Sequence, residues 1–129
     1  MVKNIPLLRA LYEHITTHPE QHNQGAWKKT HTDGTVTMCS GGRAIELAGG
    51  YEWSSSTGQL GAQHVYEVGG TEPLFPDRVA YELLGLSDDE SGDLFYLATN
   101  RQAVDMIAEW LREADEAALK HAAVQLVPA

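Results

Sequence analysis

Cysteine is nearly absent. Cys39 is the only one in 129 residues, so no internal disulfide staples the fold, and a reducing compartment is the default setting. Long apolar runs are missing as well. Nothing approaches the roughly 20 residues that cross a bilayer, and Met1-Val2-Lys3-Asn4-Ile5-Pro6 lacks the basic-then-apolar order of a secretory signal. The expected location is the cytoplasm, without membrane contact. Cations are scarce: nine Lys and Arg face 18 Asp and Glu, for a formal net charge of −9. The shortage is local. Residues 1–76 hold seven acids and five Lys or Arg, whereas residues 77–129 hold eleven acids and four. Such a surface repels phosphate backbones, which argues against ordinary nucleic-acid binding and suits a basic protein partner. No repeat and no linker divides the chain, so residues 1–129 read as a single domain.

Helical periodicity is what the chain has in quantity. Ile5, Leu8, Leu11, Tyr12 and Ile15 form a stripe that His18-Pro19 ends, because proline biases its predecessor away from the helical region. Asp33-Gly34 between Lys28 and Cys39 predicts a hairpin. Ser40 is the expected cap of a helix over Gly41–Ala48, stopped by Gly49-Gly50. Residues 50–64 read as a polar loop, mobile from Ser54 to Gln63, followed by a short strand at Val65–Val68. Beyond Pro76 the pattern is helical again, with Val79, Leu83 and Leu86 on one face and Gly85 at its end. Capping boxes stand at Ser87–Glu90 and Thr99–Gln102. The last helix carries Ala103, Met106, Ile107, Trp110, Leu111 and Ala114, with Trp110 as a core anchor and residues 120–129 as a frayed tail. The fold class predicted is mainly α with a small β-hairpin (α+β), a single domain of about five helices.

The order of signals carries a resemblance. His18-Pro19-Glu20 is followed by Gln24-x-x-Trp27, a Cys39-centred step into a helix, and Leu47-Ala48-Gly49-Gly50. Ala80-x-x-Leu83-Leu84-Gly85-Leu86, Leu94-Phe95 and Asn100 come next. Over roughly residues 7–111 this resembles a family of small uncharacterised proteins of actinobacteria and their phages. The resemblance implies a bacterial or infected-cell setting and an accessory role. It supplies no catalytic residues.

Three readings compete at residues 39–43. A thiolate at Cys39 would gain from the unpaired N–H groups of a helix start. Cys39-Ser40-Gly41 also resembles the nucleophile step of NlpC/P60 cysteine peptidases, with His64 as the base. Only 24 residues separate the two, and no third polar residue is evident. Alternatively, Gly41, Gly42 and Arg43 would hold an anion or nucleotide. The third reading is packing: free cysteine is usually buried, and Gly41, Ala44 and Ala48 have the spacing of a close helix contact. His14, His18 and His22 have metal-like spacing that Pro19 interrupts, so no metal and no cofactor are expected. Tyr51 and Trp53, beside the serine-rich loop, are candidate partner-binding residues. The leading expectation is a non-enzymatic cytoplasmic interaction or regulatory protein, with a phage accessory factor acting on a host protein as its expected form. The alternatives are a cysteine-dependent hydrolase or transferase and an anion-binding protein.

Overall fold

Asn4 starts the first helix: its side-chain oxygen accepts the Leu7 N–H at 3.2 Å, and Pro6 sits where no helical donor is lost. Helix α1 (Ile5–Thr17) buries Leu8, Leu11 and Ile15, and a 3-10 turn at Pro19–Gln21 follows. This computed structural model describes residues 2–54 and 61–126, with side chains as far as Ala123.

The expected hairpin is present. Strands β1 (Lys29–Thr30) and β2 (Val36–Thr37) pair antiparallel around the Asp33-Gly34 turn, where Asp33 Oδ1 accepts the Thr35 N–H at 3.0 Å. Helix α2 (Ser40–Ala48) follows directly. One correction concerns the next segment. Tyr51–Trp53 is not loop but strand β3, paired antiparallel with β4 (Val65–Glu67) in the register Tyr51↔Glu67 and Trp53↔Val65. The mobile loop expected from Ser54 to Gln63 lies mostly outside the described residues. Its described end is anchored: Ala62 is buried, and its N–H donates to Lys28 O at 2.9 Å.

Helix α3 (Pro76–Leu84) ends at Gly85 in the left-handed conformation, φ 68°. A Cβ at Gly85 would stand 2.2 Å from the Val2 carbonyl oxygen, so the approach of the N-terminal segment requires glycine. That segment seals the helix end: Asn4 N–H donates to Leu84 O at 2.9 Å and Asn4 Nδ2 to Leu83 O at 3.0 Å. Both predicted capping boxes form. Ser87 and Glu90 exchange bonds at the start of α4 (Asp88–Gly92), and Thr99 and Gln102 do so at the start of α5 (Asn100–Leu126). Between them a π-turn, Asp93–Leu97, adds a residue to the helical path.

Helix α2 packs on α1 and α3, and α5 lies along α1. Leu8, Leu11, Ile45, Leu84, Leu86, Leu94 and Ile107 meet between them at 0–1% exposure. Each such side chain contributes about 1.5–3 kcal/mol of burial. The fold is mainly α with two small antiparallel sheets. Helix α5 continues through the expected frayed tail to Leu126, with residues 127–129 outside the described chain. Trp110 is only half-buried, with the Lys3 ammonium 5.5 Å from its ring, so it is a margin residue and not the expected core anchor. No helix among the described residues is long and apolar enough to cross a membrane.

Candidate functional site

The start of α2 is closed by side chains. Cys39, not Ser40, is the N-cap: its Sγ accepts the Gly42 N–H at 3.3 Å. Ser40 is the first helical residue, and Gln24 Oε1 accepts from both its N–H (2.7 Å) and its hydroxyl (2.9 Å). Gln24 Oε1 also meets His22 Nε2 at 2.7 Å, while Gln24 Nε2 donates to Leu94 O at 2.7 Å. Asn100 completes the joint. Its Oδ1 accepts the Gln24 N–H at 2.8 Å and its Nδ2 donates to His22 O at 2.9 Å. Thus Gln24 and Asn100, distant in sequence, tie the segment after α1 to α2, the π-turn and α5.

Gly41 and Gly42 face the Trp27 segment. A Cβ on Gly41 would lie 2.5 Å from Trp27 Cζ3, and one on Gly42 only 1.8 Å from the Trp27 carbonyl oxygen. Close packing against the Trp27 segment accounts for both glycines. Arg43 is half-buried beside His14 and Glu46. The thiol of Cys39 is 2% exposed, and burial pushes its pKa up to about 11, the opposite of nucleophile activation.

The other candidates are dispersed. His64 lies on Phe75, ring centroids 5.4 Å apart, and lines a hollow to which Cys39 does not contribute. His14 and His18 face each other with centroids 5.0 Å apart, whereas His22 is buried against Gln24. Among the described residues no three His, Cys, Asp or Glu side chains group to hold a metal ion. Tyr51 and Trp53 are half-buried on β3, and Trp53 Nε1 donates to Glu46 Oε2 at 3.2 Å.

The surface that stands out lies around the N-terminal half of α3 and the π-turn. Phe75 is 66% exposed, Tyr96 64% and Leu97 74%. Tyr96 rests edge-on against Trp27, centroids 6.2 Å apart, and its hydroxyl donates to Asp77 Oδ2 at 2.8 Å. Partial desolvation of the phenol, followed by the Asp77 contact, raises its pKa to about 12, so it stays a neutral donor. Hollows surround these rings. One of about 640 Å³ runs from Trp27 past His64 and Phe75 to Tyr96, and one of about 540 Å³ runs from Tyr51 past Glu67, Glu72 and Phe75 to Glu82. A third, about 390 Å³, is lined by Asp77, Tyr81, Asp88 and Tyr96, with Arg78. The sequence reads Phe75 as a core anchor and Asp88 only as part of a capping box, and it singles out none of Asp77, Tyr81 and Tyr96; Phe75 is instead exposed. A signal existed: Leu94-Phe95-Tyr96-Leu97 is too continuously apolar for one helix face to bury, and Leu94 and Phe95 go inward while Tyr96 and Leu97 do not.

No protein-family model, no curated protein and no solved structure matches this chain.

Proposed function

We propose that this chain is a non-enzymatic interaction protein that grips a basic, partly apolar segment of a protein partner. The single observation that carries this reading is the pair of large exposed rings, Phe75 and Tyr96, rising between hollows with acidic walls. Rigid aromatic anchors give large contact area at low entropy cost. Five carboxylates, those of Glu67, Glu72, Asp77, Glu82 and Asp88, line these hollows against the single guanidinium of Arg78. That balance attracts a cationic segment and repels nucleic acid. A bacterial or infected-cell cytoplasm, and an accessory phage role on a host protein, form the proposed setting. The raised pKa of Cys39 and the crowding over Gly41 and Gly42 weigh against the cysteine-enzyme and anion-binding alternatives.

Fluorescence anisotropy with a labelled decapeptide of alternating Lys and Leu or Phe tests the reading against a counterpart carrying Glu for Lys. The basic peptide should bind at least about tenfold more tightly, equivalent to 1.4 kcal/mol, and should weaken as salt rises. The double variant Phe75→Ala/Tyr96→Ala should lose about tenfold or more. Equal binding of both peptides, or an unchanged double variant, rejects the proposal.

A further inference from the structure

The hollow between α3 and the π-turn has a composition unlike its neighbours. Two tyrosines and two aspartates line it together, with Ser91 and Gly92 at the α4 side. Each tyrosine is matched to an acid: Tyr96 donates to Asp77 Oδ2 at 2.8 Å, and the Tyr81 hydroxyl interacts with Asp88. Asp77 Oδ1 accepts the Arg78 N–H at 2.8 Å, which fixes the carboxylate at the first turn of α3. The Tyr96 phenol donates to Asp77, and both tyrosines line the hollow beside the two carboxylates. At about 390 Å³ the space exceeds what one water needs and suits a side-chain head group. Arg78 also lines the hollow, from an exposed position, and makes no ion pair of 4 Å or less with either aspartate.

Resting on the recognition reading above, we propose that this tyrosine–aspartate hollow is the anchor pocket for a lysine or arginine side chain of the partner. The cation would lie between the Tyr81 and Tyr96 rings, attracted by their faces, with Asp77 and Asp88 as its counter-charges. The methylene stem would pass over Phe95, which lines the same hollow. Arg78 is then a like-charge neighbour that lowers affinity and disfavours a second adjacent cation.

Backbone amide NMR of the full chain, titrated with Nα-acetyl-lysine methylamide, its arginine counterpart and its norleucine counterpart, tests this directly. The two cationic probes should give saturable shifts at Asp77, Tyr81, Gly92 and Tyr96, and the norleucine probe should give none. Asp77→Asn/Asp88→Asn keeps the side-chain shapes and should weaken the lysine probe at least about tenfold. Should the double variant fail to fold, Asp88→Asn alone, in the exposed first turn of α4, should weaken it about threefold. Arg78→Gln should tighten it by about threefold. Equal shifts with norleucine, no shifts at these four amides, or an unchanged aspartate variant would overturn the proposal. Absence of the lysine-probe shifts, with the basic decapeptide still bound in preference to its glutamate counterpart, overturns the pocket while leaving the wider recognition surface standing. Failure of the decapeptide alone, with the lysine probe still bound, rejects the recognition reading instead.

Discussion

At Gly42, a hydrogen stands where any other residue would place a carbon 1.8 Å from the Trp27 carbonyl. The clash is with backbone, so no side-chain rotation relieves it. Gly42→Ala should cost about 3 kcal/mol or more, read as a lowered midpoint in urea. Cys39 supplies a second check at this scale. Its thiol caps α2 from inside the core, with a pKa near 11. Iodoacetamide should therefore leave the folded protein unmodified at pH 8 while labelling it rapidly in denaturant. Fast labelling of the native state would restore the cysteine-enzyme reading. Gln24 matters in the same way. Gln24→Ala would strand the Ser40 N–H and the Leu94 carbonyl, at a cost of at least about 2 kcal/mol.

The buried joint around Gln24 also links stability to pH at the level of elements. Desolvation, the largest cause, holds His22 below its ordinary 6.5, outweighing the Gln24 bond that pulls the other way. Between the folded and unfolded values the unfolded chain binds more protons, so stability is intact above about pH 6.5 and falls as pH drops below it. His22→Gln should flatten the melting temperature across pH 7 to 5; an identical decline in that variant would contradict the assignment. Helix α5 gives a graded prediction. Half-burial of Trp110 reduces the expected cost of Trp110→Ala to about 2 kcal/mol, below the full 3–5 of a core tryptophan. The elements most legible in the sequence are those with local chemistry: the stripe of α1, the Asp33-Gly34 turn and both capping boxes need only neighbouring residues. Strand β3 was not legible, because Tyr51–Trp53 is defined by a partner beyond an intervening polar segment. The helix start was legible but its cap was not. Cys39 takes that role because Gln24, brought from a distant turn, already holds Ser40. The proposed recognition surface escaped for the same reason, since Asp77, Tyr81, Asp88 and Tyr96 converge only once α3 and the π-turn are in place.

Over the whole molecule, charge and shape point to the same side. The acidic excess of residues 77–129 was evident in the sequence. Folding collects part of it around exposed rings, the arrangement on which the proposed attraction for a basic chain rests. The core lies elsewhere, which lets Phe75 and Tyr96 be exchanged without emptying it. The most direct measurement of the central claim is the map of backbone amide shifts when the alternating Lys and Leu or Phe decapeptide is added. The account predicts changes concentrated at residues 75–81 and 93–97, reduced by Phe75→Ala/Tyr96→Ala and by added salt. Changes centred on Gly41–Arg43, or no localised changes at all, would contradict it.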